Sequence, residues 1–322
     1  MLAQAPAGLT CFLLPRFRPD GSVNGLRFQR LKDKLGNRSN ASSKVEFHAA
    51  YAERVGAEGE GVRTIIRMVQ LTRLDCTAAA AGQMRMGLAQ AAHHASHRSV
   101  FQRRLIDQPA MRAVLADLAL ESEANAALVF RLTRAYDSAR NNEAEAEAEA
   151  AYARLMTPAV KYLVAKSAPS FIYETLECLG GNGYVEDLPM ARLYRGAPLN
   201  AIWEGSGTVM ALDILRAIRQ SREAAENVID KLAGAASAPG LAAAKAIKQG
   251  LGAKDAESHA RFVAEKLARL GALAALHEAD GNLAEAYAAT RLEGAPQATW
   301  GACDLASVQS LALSRALPQL FG

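Results

Sequence analysis

The chain has 322 residues, half of them hydrophobic, and a formal net charge of +4. This length and apolar content predict a soluble globular protein of two or three domains with a sizeable core. The charge is modest, and residues 221–322 carry 10 Lys or Arg against 11 Asp or Glu, so the tail alone has no electrostatic footprint for nucleic acid.

The cysteines and the amino terminus indicate the expected compartment. Cys11, Cys76, Cys178 and Cys303 show neither paired nor metal-ligand spacing, which predicts reduced thiols in a cytosolic protein. The segment Met1–Pro15 lacks the basic leader and cleavage region of a signal peptide, and no later run approaches a membrane span. We expect a cytoplasmic protein.

The first sixty residues have the texture of strands and turns. Apolar runs at Leu9–Phe17 and around Val45 lie on either side of Asp20-Gly21, a pair that is typical of turns. From about Gly61 the chain becomes rich in Ala, Leu, Arg and Met, and its apolar residues take helical spacing. Helices are predicted at roughly 62–98, 109–138, 146–179 and 200–220, which favours a four-helix bundle.

Several breaks interrupt the predicted helices. Pro158 and Pro169 predict a kink or a restart in the third helix, because proline lacks the amide donor. Glu143–Ala150 alternates Glu and Ala after Asn141-Asn142 and is interpreted as a solvated helix start without a function. Later breaks, at Ser237–Gly240 and at residues 280–281, predict a separate small helical domain that begins near residue 221.

One acid in the segment Asn200–Thr208 is a candidate catalytic base. Glu204 follows Ile202-Trp203 and precedes Gly205-Ser206, so its carboxylate is expected to be partly desolvated. Desolvation makes a carboxylate a better base near neutral pH. The alternative is an ordinary acid at the start of a helix, and this motif alone favours that alternative.

A glycine cluster follows the third predicted helix, in Leu179–Tyr184. Gly180 and Gly181 permit positive φ and let the backbone approach a phosphate closely. A helix terminus followed by a turn is the alternative, and a short cluster alone favours it.

Arg98, Phe101 and Gln108 lie at the junction of the first two predicted helices. An arginine fork suits a phosphate and an aromatic ring suits a flat cofactor, although a loop arginine beside a core phenylalanine is commoner. His93 and His97 have the i, i+4 spacing of a metal pair, but no third ligand is apparent. No metal is expected.

In their order and spacing these three segments resemble the acyl-CoA dehydrogenase family, and the similarity covers nearly all of residues 1–220. Lys34–Ser39 resembles the family's last β-domain strands, and Ala57–Gly61 resembles its entry into the helical domain. Arg30–Ser42 and Ile202–Gly207 are similar to the AidB-like, alkylation-response subgroup, which appends a helical domain. The implied fold is mainly α: the end of a β-barrel-like domain (residues 1–60), a four-helix bundle (61–220) and an appended helical domain (221–322).

The resemblance implies a function and a set of site residues. The implied reaction is the FAD-dependent α,β-dehydrogenation of a short or branched acyl-CoA: Glu204 removes the α proton while the β hydride passes to the flavin. Arg73 is implied to support the active site. The family also implies a homotetramer with FAD at subunit interfaces, and it admits an electron-transfer flavoprotein as electron acceptor. The residues implied to contact FAD are Arg98, Phe101, Gln108, Glu177, Gly180, Gly181, Trp203, Gly205, Ser206 and Thr208.

Three departures from the family pattern leave alternatives open. The family's N-terminal helical domain and the first half of its β domain do not precede residue 1, Gln102 stands where glycine is usual, and Glu177 stands where glutamine is usual. One alternative is a DNA-associated protection protein with little dehydrogenase activity, which would need Arg261, Lys266 and Arg269 to cluster on the appended domain. The other is an N-terminally truncated, inactive form.

Overall fold

The computed structural model describes residues 1–141, 144–294 and 298–316. These residues form seven short strands and eleven α-helices, which confirms the expected mainly α fold. Among the described helices, none combines the length and the apolarity that crossing a lipid bilayer requires. The chain divides into two compact units, residues 1–72 and residues 73–322.

Five strands build the first unit: β1 (Leu2–Ala5), β2 (Gly8–Leu13), β3 (Leu26–Leu31), β4 (Ser43–Phe47) and β5 (Glu53–Val55). β2 is the middle strand of an antiparallel sheet, in which Cys11 lies opposite Leu2 on one side and Val55 on the other. β3 and β4 form a separate antiparallel pair. β2 and β4 therefore fall at the two apolar runs of the sequence, whereas β1, β3 and β5 lie outside them.

One segment that was expected to belong to a strand does not. Lys34–Ser39 lies in the loop that joins β3 to β4. Lys34 Nζ donates to the backbone carbonyl oxygens of Asn37 and Asn40, at 2.8 and 2.7 Å. Asn37 has a φ of 52°, a left-handed conformation that asparagine tolerates better than most residues. Local turn chemistry thus decides the structure of this segment.

The side chain of Asn24 joins separate parts of the first unit. Asn24 is 3% exposed. Its Nδ2 donates to the carbonyl oxygens of Pro15 and Tyr51, both at 2.8 Å, and its Oδ1 accepts from the backbone N–H groups of Tyr51 and Gly25, at 2.7 and 2.8 Å. One buried amide therefore satisfies four hydrogen bonds between loops.

The bundle helices agree with their predicted bounds except at the fourth. They are α1 (Gly61–His97), α2 (Pro109–Asn141), α3 (Ala146–Glu177), α4 (Gly181–Tyr184), α5 (Pro189–Gly196) and α6 (Gly207–Gln220). A hairpin of β6 (Ser99–Val100) and β7 (Arg103–Arg104) joins α1 to α2. The fourth predicted helix begins at residue 207 instead of 200. Of the expected Asn141-Asn142 break and the Glu143–Ala150 stretch, Asn142 and Glu143 lie outside the described residues.

α3 continues through both of its prolines, so of the expected kink or restart, the restart is wrong. Pro158 and Pro169 lie inside the helix, and each lacks the N–H that would bind the carbonyl four residues earlier. Most residues between them are buried, and Thr157 Oγ1 donates to the Ala153 carbonyl oxygen at 2.6 Å. Packing of the helix on its neighbours outweighs the cost of the two missing bonds.

Five more helices follow the bundle: α7 (Arg222–Ala235), α8 (Ser237–Gly252), α9 (Ala260–Ala279), α10 (Gly281–Tyr287) and α11 (Gln309–Ala316). α9 packs against α2, α3 and α6, and α11 packs against α2. The buried apolar side chains of these helices and of the bundle form one continuous core. The proposed domain boundary near residue 221 stays a prediction.

A buried ion cluster lies inside this core. Arg291, from the π-helical turn Ala288–Glu293, contacts Asp117, and its Nε lies 2.9 Å from Glu121 Oε2. All three side chains are less than 10% exposed. Burial lowers the pKa of Arg291, but the nearby carboxylates of Glu121 and Asp117 raise it by more than burial lowers it, so the net shift of the pKa is upward. The guanidinium stays charged, and it balances the carboxylates of α2.

Candidate active site

Glu204 lies in a tight loop between a 3-10 turn and α6. The 3-10 turn spans Ala197–Ala201, and Ser206 is the N-cap residue of α6. Glu204 has a φ of 55° and Gly205 a φ of 100°, so two consecutive residues have left-handed backbone. This loop replaces the first turns of the predicted fourth helix. Glu204 does precede a helix, as the alternative interpretation expected, but it lies two residues before the cap.

Lys161 of α3 holds this loop by its backbone. The residue is 1% exposed, and its Nζ donates to the carbonyl oxygens of Asn200, Trp203 and Gly205, at 3.0, 2.9 and 2.8 Å. Burial lowers the pKa of Lys161, because desolvation disfavours an ammonium ion. Lys161 is not among the residues predicted from the sequence. A lysine inside the apolar run Val160–Leu163 is the signal that could have identified it.

Arg73 of α1 lies beside the same loop. Its Nε donates to the carbonyl oxygen of Glu204 at 3.3 Å, and its Nη1 lies 2.6 Å from Asp213 Oδ2. Asp213 of α6 also binds Arg154, at 3.0 Å, and Arg216, at 3.5 Å. Arg73 therefore contacts the backbone of the candidate base, and Asp213 fixes the orientation of the Arg73 guanidinium.

Apolar side chains flank the half-buried Glu204. Ile202 is 66% exposed and Trp203 is 40% exposed. Trp203 Nε1 donates to Asn200 Oδ1 at 2.9 Å, which restricts the indole ring. Cys76 is buried, and burial raises the pKa of its thiol. The carboxylate thus stands beside exposed apolar surface on which an acyl chain could pack.

The start of α6 offers an anion site next to Glu204. Ser206 and Thr208 are exposed, and the Ser206 side chain makes no capping hydrogen bond. The first N–H groups of a helix have no acceptor within it, and they favour an anion. Gly205 has a φ of 100°, a backbone conformation that favours glycine there. These residues could hold part of a phosphate-bearing cofactor.

A second group of predicted site residues lies at the hairpin between α1 and α2. Phe101 and Gln102 form its two-residue turn, with φ of 48° and 61°, as such turns require. The positive φ at Gln102 explains why glycine suits this position. Phe101 is 93% exposed and Arg98 is also exposed. Gln108 Nε2 donates to the Val100 carbonyl oxygen at 3.2 Å, so this side chain stabilises the hairpin.

The third group lies at the end of α3. Gly180 has a φ of 59°, and a Cβ added to Gly180 or Gly181 would meet nothing within 4 Å. At Gly183, in contrast, a Cβ would lie 2.1 Å from the Leu176 carbonyl oxygen. Glu177 is exposed. Packing within the chain therefore requires glycine at 183, while the backbone at 180 and 181 is open to close approach by a ligand.

The hairpin group and the Glu204 loop are not brought to a single place within one chain. Arg73 and His97 are both in α1, and their separation of 24 residues corresponds to about 36 Å along a straight helix. Arg98 follows directly. The hairpin group therefore lies far from Arg73 and the Glu204 loop, and one small ligand cannot touch both in the same subunit.

Other candidates from the sequence are used within the chain. The rings of His93 and His97 have centroids 4.3 Å apart, and the described parts of the chain place no three His, Cys, Asp or Glu residues where they could hold a metal ion. Arg261 donates to Tyr162, Lys266 donates to the Leu292 carbonyl oxygen, and Arg269 pairs with Glu265. Each of the three basic residues considered for DNA binding thus has a partner inside the chain.

The chain is similar to proteins of one family. The sequence profile of the acyl-CoA dehydrogenase C-terminal domain matches residues 59–219. AidB from Escherichia coli strain K12 is 50% identical over 220 residues, which are 68% of this chain and 40% of AidB. The crystal structure of Caenorhabditis elegans ACDH-11 in complex with C11-CoA matches with a TM-score of 0.81 and 28% identity, and it covers 89% of this chain and 53% of that one.

A more distant structure shares the fold alone. The acyl-CoA dehydrogenase from Bacillus anthracis, complexed with FAD, matches with a TM-score of 0.72 at 16% identity, over 100% of this chain and 64% of its own. The chain spans less than half the length of AidB and about half that of the ACDH-11 structure.

Proposed function

Because the chain belongs to the acyl-CoA dehydrogenase family, we propose that the protein catalyses the FAD-dependent α,β-dehydrogenation of a short or branched acyl-CoA. Glu204 is the base in this proposal. The observation that carries it is the rigid placement of Glu204: a carboxylate on a loop held by Lys161 and Arg73, beside exposed apolar side chains.

In the proposed reaction, a side chain of the protein accepts one proton from the substrate. Glu204 takes the proton from the carbon next to the thioester carbonyl. FAD, when bound, accepts the hydride from the adjacent carbon. The product is a trans-2-enoyl-CoA. The exposed Ile202 and Trp203 would be covered by substrate, which would exclude water from the carboxylate and strengthen it as a base.

Residues of all three groups would hold FAD. Ser206, Thr208 and the α6 N–H groups suit a phosphate or the flavin edge, and the exposed Arg98 and Phe101 suit a diphosphate and an aromatic ring. Gln108, Glu177, Gly180, Gly181, Trp203 and Gly205 complete the proposed contacts. The separation of about 36 Å between Arg73 and His97 along α1 supports FAD sites that are shared between subunits. We therefore extend the proposal to a homotetramer. We also propose that it is cytoplasmic and passes electrons to an electron-transfer flavoprotein.

Substitution of the base tests this function. In the purified flavin-loaded protein, Glu204→Gln is expected to reduce acyl-CoA-dependent dye reduction by about 10²- to 10⁴-fold while flavin absorbance is retained. Glu186→Gln is the matched control, because Glu186 is exposed and its ion pair with Arg195 involves no residue of the Glu204 loop. The proposal fails if the protein binds no flavin, or if Glu204→Gln keeps the activity of the control.

The DNA-associated alternative remains a separate prediction. A mobility shift with duplex DNA at low salt tests it, since binding through phosphates weakens steeply as salt rises. The internal partners of Arg261, Lys266 and Arg269 give it no support.

A further inference from the structure

The ammonium of Lys161 uses its entire donor capacity on the loop that carries Glu204. A lysine ammonium has three N–H donors, and the three acceptors are the carbonyl oxygens of Asn200, Trp203 and Gly205, at 2.8 to 3.0 Å. Two of these carbonyls belong to the residues directly before and after Glu204. The candidate base is therefore the residue between two fixed peptide groups.

The backbone that meets this ammonium is strained. Three carbonyl oxygens within six residues point at one nitrogen, and the chain reaches this arrangement with positive φ at Glu204 and Gly205. A non-glycine residue such as Glu204 is disfavoured in left-handed backbone and persists there only where its surroundings impose that conformation. Lys161 lies 1% exposed in α3, so the buried charge and the strained loop stabilise each other.

We propose that Lys161 is a positioning residue: it sets where the carboxylate of Glu204 stands by fixing the Trp203–Glu204 and Gly205–Ser206 peptide groups. This inference rests on the proposed role of Glu204 as the base. All three donors of this ammonium go to backbone carbonyls of residues 200–205, and the two from Trp203 and Gly205 lie on either side of Glu204. Arg73 supplies a further contact, from its Nε to the carbonyl oxygen of Glu204 itself.

Two substitutions at Lys161 separate charge from geometry. Lys161→Met keeps an unbranched side chain that is one atom shorter, and it removes both the charge and the donors. Lys161→Arg keeps the charge, but a planar guanidinium directs its donors as a fork and cannot converge three carbonyls on one atom. Lys248→Met is the matched control, because Lys248 pairs with Asp230 at the surface and lies far along the chain from the loop.

The first measurement needs no activity. In a Trp300→Phe background Trp203 is the single tryptophan, and it lies in the clamped loop. Acrylamide quenching of its fluorescence is expected to increase in Lys161→Met, to increase less in Lys161→Arg, and to stay unchanged in Lys248→Met. Unchanged quenching in both Lys161 variants would overturn the proposal, whatever the enzyme assay shows.

The second measurement is kinetic. If the proposed reaction is correct, Lys161→Arg should lower kcat by about 10²-fold, the size of effect expected when a catalytic group moves by about 1 Å, with KM and flavin content close to wild type. A lowered melting temperature with unchanged kcat would make Lys161 purely structural and would overturn the inference. If Lys161→Met does not fold, Lys161→Arg alone decides the result. Absence of dehydrogenation in the wild-type protein would count against the proposed function, and the quenching result would still stand.

Discussion

The two units of the chain differ in the interactions that stabilise each of them internally. In residues 1–72 only Thr10, Cys11, Asn24 and Gly61 are buried, and the apolar side chains of Phe28 and Leu31 on β3 are more than 60% exposed. In residues 73–322 the helices enclose a continuous core that includes fully buried Phe171 and Tyr287.

The difference shows what each kind of element can do with its own sequence. Amphipathic helices bury their apolar stripes against one another, so a set of them makes a core. A two- or three-stranded sheet buries its apolar face only when another layer of structure packs against it. In the first unit, hydrogen bonds of buried polar groups such as Asn24 therefore carry more of the local structure.

The largest effect is expected from the buried ion cluster of the helical unit. Arg291→Met leaves the carboxylates of Asp117 and Glu121 buried without their cation, which should lower the free energy of unfolding by about 3–5 kcal/mol. Urea denaturation followed by circular dichroism measures it. Arg134→Met is the control: its pair with Glu278 is more than half exposed and should contribute about 0–1 kcal/mol. Equal effects would show that burial does not decide the strength of these pairs.

A matched leucine pair compares the two units directly. Leu132 of α2 is 0% exposed and Leu31 of β3 is 69% exposed. Leu132→Ala should cost about 2–5 kcal/mol through the lost contacts and the cavity, whereas Leu31→Ala should cost about 0.5 kcal/mol or less. Both are measured by urea denaturation. A large loss for Leu31→Ala would mean that β3 is buried in solution and would remove the contrast between the units.

The smallest of these effects tests the hydrogen bonds of the first unit. Asn24→Ala deprives the Pro15 and Tyr51 carbonyls and two backbone N–H groups of their partner, at a cost of about 1–3 kcal/mol. Amide hydrogen exchange at Tyr51 should become faster, because its N–H donates to Asn24. Asn40→Ala, at an exposed position, serves as the control. Unchanged exchange at Tyr51 would contradict the view that Asn24 holds these loops.

The helix bounds could be predicted from the sequence because helical periodicity is a local signal. α1, α2 and α3 begin and end within three residues of the expected positions, and the glycine cluster does follow α3. The start of α6 could not be predicted, because its displacement depends on Lys161, about forty residues earlier in the chain. The helix restart predicted from Pro158 and Pro169 does not occur for a similar reason: packing, which periodicity does not report, keeps α3 continuous.

The candidate site shows the same division. Its residue types were visible in order along the chain, and Arg73 does contact the Glu204 backbone. The positive φ of Gln102, the use of Gln108 to hold Val100 and the role of Asp213 in fixing Arg73 depend on three-dimensional contacts. No sequence motif marks them.

The length of α1 restricts how this protein can change over evolution. A helix couples distance to direction: removing one residue shortens it by about 1.5 Å and also turns everything beyond by about 100°. Between Arg73 and Arg98, exposed side chains can vary, but a single insertion or deletion would rotate the hairpin relative to the base loop. Homologues that keep both groups in use should therefore differ here by substitution and conserve the residue count.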